Sequence, residues 1–212
     1  MGRWLGAVLL VGLTGCMSEE AERARDYTTD GLHLFQHGDY RAARESFQAA
    51  LTLRPEDTGL MYNVAQCYER QGADAQAEHF YVACLQRSPD HAPCRHALAA
   101  LLVHEGRGAE AVHMAEDWLA RDPKHADPYA LDGWLWHQKG DLPRAQGRLQ
   151  QALEIDSHNV KALTELALLY EEMHREDRAA VIYQRILEIE PSNLEITARL
   201  NRLRGTSRPQ PE

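Results

Sequence analysis

Between residues 24 and 193, apolar, small and polar positions return in the same order every 34 residues. One column reads Ala43, Ala77, Ala111, Ala145 and Ala179; a second reads Leu51, Leu85, Leu119, Leu153 and Leu187. A third holds only small residues, Gly31, Ala65, Ala99, Gly133 and Ala167, and a fourth only large ones, Leu34, Tyr68, Leu102, Trp136 and Tyr170. Gly38, Gly72, Gly106 and Gly140 share a column whose fifth slot is His174, and Pro55, Pro89, Pro123 and Pro191 share one whose remaining slot is Ser157.

Each period divides at the glycine column into two amphipathic stretches of about 14 residues, the length of a short surface helix. Glycine there permits the left-handed turn that ends a helix. Asp39, Asp74 and Asp141 follow closely and are placed to cap a second helix. Pro143 falls in the first turn of such a helix, where its missing N–H costs little. The closing proline stops the second helix, and Asp57, Asn159 and Asn193 then cap the next one. The pattern predicts an all-α chain of five helical hairpins, 24–57, 58–91, 92–125, 126–159 and 160–193. The small-residue columns let adjacent helices approach closely. One hairpin cannot bury both of its faces, so stability comes from stacking. A last stretch, with Leu194, Ile196, Leu200 and Leu203, predicts a helix over 194–203 that closes the array; 204–212, with Pro209 and Pro211, predicts a disordered tail.

A period of 34 with this column order resembles the tetratricopeptide repeat, over 24–193 of the chain's 212 residues and without insertion. The resemblance implies a right-handed superhelix whose concave face is lined by the first helix of each hairpin. At the lining slots of that family stand Leu32, Phe35, Tyr62, Gln66, Arg70, His96, Val103, Trp134, His137 and Leu168. Exposed apolar and aromatic groups of this kind anchor interfaces, so a peptide or helix of a partner protein is expected there. The carboxylate clamp of chaperone-binding relatives is missing: Thr28, Leu32, Pro93 and Ala97 stand where it needs Lys, Asn, Lys and Arg, and Asn63 alone matches.

Composition narrows the function. Hydrophobic residues make up 44% and aromatics 7%, enough for a core packed through small side chains. A net charge of −9 repels phosphate backbones, so nucleic acid is not an expected partner. The chain has no G-x-S-x-G, phosphate loop or H-E-x-x-H, and the repeat leaves no room for a second domain. No enzyme activity, cofactor or small-molecule substrate is expected. His33 and His37, or His96, His104 and His137, do not form a metal pattern with any carboxylate, and no metal is expected.

The N-terminus predicts an address. Arg3 precedes an apolar run, Trp4 to Leu13, too short for a bilayer span of roughly 20 residues. It ends in Leu13-Thr14-Gly15-Cys16, which resembles a bacterial lipobox. That resemblance implies a signal segment 1–15, cleavage before Cys16 and acylation of Cys16. Residues 16–23 become a short membrane tether or an extension of the first helix. Met17 after the cysteine implies the outer membrane, facing the periplasm. A lipobox followed by such repeats is similar in layout to type IV pilus pilotins and Tad pilus assembly lipoproteins. This implies an envelope scaffold for pilus or secretin assembly, with an adaptor for cell-wall enzymes and a structural homo-oligomer as alternatives.

Export places Cys67, Cys84 and Cys94 in an oxidising compartment. They form no C-x-x-C pair, and their spacing matches no zinc site. Cys84 and Cys94 each stand five residues from Pro89, which marks the turn between two antiparallel helices. The family resemblance implies that the column of Cys84, held by Ala50 and Ala152 in other repeats, faces the neighbouring helix. The two are therefore a candidate disulfide, against the alternative that Cys84 is a small buried apolar group and Cys94 incidental. Cys67 stays unpaired on either view.

Overall fold

A computed structural model describes the backbone of residues 11–206 and the side chains of residues 19–205. Residues 1–10 of the expected signal segment and residues 207–212 of the expected tail lie outside the described residues, as does the side chain of Cys16. Among the described residues there are eleven helices and no strand. They are α1 (Val11–Gln36), α2 (Tyr40–Leu53), α3 (Thr58–Arg70), α4 (Asp74–Arg87), α5 (Ala92–His104), α6 (Gly108–Arg121), α7 (Ala126–Gln138), α8 (Leu142–Ile155), α9 (Val160–Glu172), α10 (Glu176–Ile189) and α11 (Leu194–Thr206). α1 runs without a break through residues 16–23, and α11 continues to Thr206, past the expected end at 203. No described helix is long and apolar enough to cross a membrane.

The turns follow from local chemistry. Gly38, Gly72, Gly106 and Gly140 have φ between 71 and 82°, the left-handed region that releases each first helix. His174, fifth in that column, adopts φ 55° despite its Cβ. Asp39 and Asp141 accept from Ala42 and Arg144 N–H and so cap α2 and α8. Asp74 does not cap: it is the first residue of α4, and the cap position holds Ala73, which has no side-chain acceptor. The capping slot directly follows the column glycine, and Asp74 is one residue too late. At the other junctions Asp57, Asn159 and Asn193 accept from Leu60, Ala162 and Ile196 N–H.

The chain forms two compact units, divided between Leu101 and Leu102 within α5. In the first, Ala43, Phe47, Ala50, Leu60, Val64 and Cys67 form the core, with Leu34, Phe35, Leu51, Tyr68 and Phe80 packed against it. α1 meets α2 through Gly31, where a Cβ would stand 2.6 Å from the Phe47 ring. In the second, Leu149, Leu163, Leu169, Tyr183 and Ile186 are fully buried, and α11 adds Ile196, Leu200 and Leu203. α7 meets α8 through Gly133, where a Cβ would stand 2.7 Å from Leu149 Cγ. All five alanines of the 43-to-179 column are completely buried. Burying a large apolar side chain stabilises by about 1.5–3 kcal/mol, and here each needs a small partner opposite it. Leu194 is not part of the closing face: it is 82% exposed, because the buried stripe of α11 begins two residues later at Ile196.

Candidate protein-binding faces

In the first unit, the expected lining residues come from α1, α3 and α5. Leu32 is 46% exposed and projects from α1. Phe35, on the same helix, is half-buried against the core. The guanidinium of Arg70 on α3 lies 6.0 Å from the Phe35 ring and 5.9 Å from the Tyr40 ring, a cation over two aromatic faces. On the same helix, Gln66 one turn back and the adjacent Glu69 are both bonded by Tyr81 of α4. The Tyr81 hydroxyl donates to Glu69 Oε2 at 2.6 Å and accepts from Gln66 Nε2 at 3.1 Å. Burial raises the Tyr81 hydroxyl well above its ordinary pKa, and its bond to Glu69 adds to that rise. Tyr62 packs 6.1 Å from the Tyr81 ring; burial raises its pKa too, with the Glu69 charge adding and Arg70 opposing. The structure thus joins Phe35 to Arg70, and Tyr62 to Gln66 through Tyr81. His96 is half-buried on α5.

In the second unit, Val103, Trp134 and Leu168 are half-buried. His137 of α7 turns toward α9, where its Nε2 is 2.7 Å from Glu172 and its Nδ1 is 3.9 Å from Glu165. Glu165 is buried, with Lys161 Nζ at 3.7 Å. Desolvation raises its pKa against the opposing pull of Lys161 and His137. Two turns further along α9, Glu171 accepts from the hydroxyl of Tyr183 on α10, with Arg199 Nη1 at 3.8 Å. Behind α7, buried Asp132 pairs with Arg148 at 2.7 Å; burial raises its pKa, and the Arg148 charge opposes the rise.

Tyr81, Tyr183, Glu165 and Asp132 were not among the residues singled out from the sequence, although a signal existed for the two tyrosines. One column reads Phe47, Tyr81, Ala115, Leu149, Tyr183, and the residue twelve earlier reads Phe35, Glu69, Val103, His137, Glu171. A tyrosine occurs in that column only where a glutamate precedes it.

The α4–α5 junction brings the cysteines together. Cys84 and Cys94 are joined as a disulfide, with Cα atoms 6.7 Å apart. Cys67 is free and buried in the first unit's core, and burial pushes its thiol up to about 11. His91 caps α5 with its ring: Nδ1 accepts from Cys94 N–H at 3.2 Å. Burial lowers its pKa, against a raising backbone hydrogen bond. Cys84, His91 and Cys94 together form a group whose potential metal-ligating atoms all lie within 4.8 Å of one another. Cysteine spacing alone did not bring His91 into view.

Stacked helical hairpins with left-handed glycine turns define a repeat protein. Family models of the tetratricopeptide repeat match residues 29–92, 75–135 and 137–203. The chain belongs to the tetratricopeptide-repeat family. The fold is similar to that of a thermophilic TPR protein of Thermus thermophilus, TTC0263, with a TM-score of 0.66 and 24% identity over 85% of this chain and 98% of that one. It is also similar to a tetratricopeptide repeat protein of Parabacteroides merdae, with a TM-score of 0.52 and 20% identity over 86% of this chain and 72% of that one. A 46-residue stretch is 44% identical to outer dynein arm-docking complex subunit 4 of Danio rerio; it takes in 22% of this chain and 10% of that protein.

Proposed function

We propose that the protein is a lipid-anchored scaffold of the bacterial cell envelope. It binds a peptide or helix of another protein on its first-helix faces and catalyses no reaction. The observation that carries the binding role is the set of half-exposed aromatic and apolar groups on α1, α3, α7 and α9, above all Leu32, Phe35, Tyr62, Trp134 and Leu168. Groups of this type gain most when a partner covers them. Tyr81 and Tyr183 fix the polar groups beside them, so part of the surface is ordered before a partner arrives.

The anchor rests on Leu13-Thr14-Gly15-Cys16. Acylation of Cys16 places the repeats on a membrane, in the outer membrane facing the periplasm given Met17, and one acyl chain alone binds only marginally. Among envelope processes, pilus or secretin assembly fits this layout, since both need a small tethered protein that holds a subunit at a membrane. The test is metabolic labelling with a palmitate analogue. Wild type takes up label and sediments with membranes, and Cys16→Ser does neither. Label on Cys16→Ser would overturn the anchor. A partner captured equally by wild type and by Trp134→Ala would overturn the binding face.

A further inference from the structure

We propose that Cys84, His91 and Cys94 form a soft-metal site for Cu(I) when the cysteine pair is reduced, so that the α4–α5 junction holds either a disulfide or a copper ion. The repeat makes the same junction several times. The two positions now held by Cys84 and Cys94 are Ala50 and Leu60 one repeat earlier, Ala152 and Ala162 two repeats later, and Ile186 and Ile196 at the last. All of these are buried, so the fold at this point needs only apolar contact. Here it carries two sulfurs instead, both completely buried. The capping slot between them is Asp57, Asn159 or Asn193 at three junctions. Here it is His91, whose Nδ1 lone pair already points at the α5 N-terminus beside Cys94.

Two sulfurs and one imidazole nitrogen, all within 4.8 Å, match the preference of Cu(I) for few, soft ligands. Zinc in a structural site takes four ligands, and this group supplies three. The burial of both sulfurs also leaves little room for a water in the fourth position. The chemistry balances with a dithiol reductant of the thioredoxin class. Its two thiols give two electrons and two protons to the Cys84–Cys94 bond and become a disulfide, while the S–S bond here breaks to two thiols. Cu(I) then replaces the two thiol protons, which leave to solvent, and His91 Nδ1 transfers its lone pair from the Cys94 N–H to the metal.

The test uses the full chain, reduced with dithiothreitol, desalted without oxygen and titrated with Cu(I) against bicinchoninate. The disulfide-intact chain is the control for Cys16, Cys67 and the exposed histidines. The expected result is one additional Cu(I) per reduced chain. His91→Asn separates the ligand from the cap, because Asn performs the capping at the equivalent positions 159 and 193. It is expected to leave thermal stability unchanged and to weaken Cu(I) binding by at least about tenfold, the loss seen when even a supporting contact of a metal site is removed. Cys94→Ser is expected to abolish the additional ion, with helix content checked by circular dichroism. Equal Cu(I) uptake by the reduced and disulfide-intact chains would overturn the proposal, and so would His91→Asn binding as tightly as wild type.

Discussion

The two units use one backbone plan and dress it differently. In the first, Phe35 of α1, Tyr62 of α3 and Tyr40 at the start of α2 are aromatic, with a guanidinium laid over two of the rings. In the second, α9 offers Glu165, Glu171 and Glu172, and an imidazole of α7 lies against Glu165 and Glu172. Yet one device is common to both. Tyr81 and Tyr183 stand three repeats apart and donate to Glu69 and Glu171, which stand three repeats apart as well. The repeat fixes where a group stands; the content of each column decides what that place recognises. At the His137 position the residue opposite is Leu149, which has no hydroxyl, and the imidazole pairs with Glu172 instead.

Overpacking strikes what the units share. Ala77→Leu and Ala145→Leu fill completely buried slots of the same column. Both are expected to lower stability by about 1–3 kcal/mol in urea denaturation. A wild-type midpoint for either would break the equivalence of the two units.

Removing the tyrosine hydroxyls separates them. Tyr81→Phe takes the donor from Glu69 and the acceptor from Gln66, and is expected to cost about 1.5–3 kcal/mol. Tyr183→Phe is expected to cost less, since Arg199 remains 3.8 Å from Glu171. Melting curves in which Tyr183→Phe is the weaker protein would reverse that order.

His174 is the smaller case. It holds a left-handed φ that glycine holds in the other four turns. His174→Gly is therefore expected to stabilise by about 1 kcal/mol, and Gly72→Ala to destabilise by a similar amount.

Acid–base behaviour distinguishes the second unit. Burial raises Glu165 above its ordinary 4.5, so the folded chain holds that proton more tightly than the unfolded chain does. Its contribution to stability therefore falls as pH rises from about 4.5 through the raised value, and is level beyond it. Asp132 acts in the same direction. Glu165→Gln is expected to flatten this slope in denaturation curves taken across that range; an unchanged slope would remove Glu165 from the account.

Much of the fold was legible because close packing repeats in the sequence. Buried alanines recur in every repeat, left-handed glycines at four of the five turns, and capping Asp or Asn residues at Asp39, Asp57, Asp141, Asn159 and Asn193. Asp74 shows the limit, since a cap depends on one residue of register. Leu194 shows another, since an apolar residue at a helix start can simply face water. The site was legible only in part. The period sets the register and the family resemblance supplies the lining slots, but the Tyr–Glu bonds, the His137–Glu172 pair and the ring of His91 as a cap depend on two columns read together. Single columns of apolar and small residues do not show them.

The most direct measurement is quantitative capture of the bound protein from detergent-solubilised membranes. Wild type would be compared with Tyr62→Ala, Trp134→Ala and Val181→Ser, with thermal melts of each. Val181 is 64% exposed on α10, a second helix, and serves as the control. The account predicts that Tyr62→Ala and Trp134→Ala lose the same partner with little change in melting temperature, while Val181→Ser retains it. Retention of the partner by both first-helix variants, or its loss from Val181→Ser alone, would contradict the assignment of the first-helix faces as the binding surface.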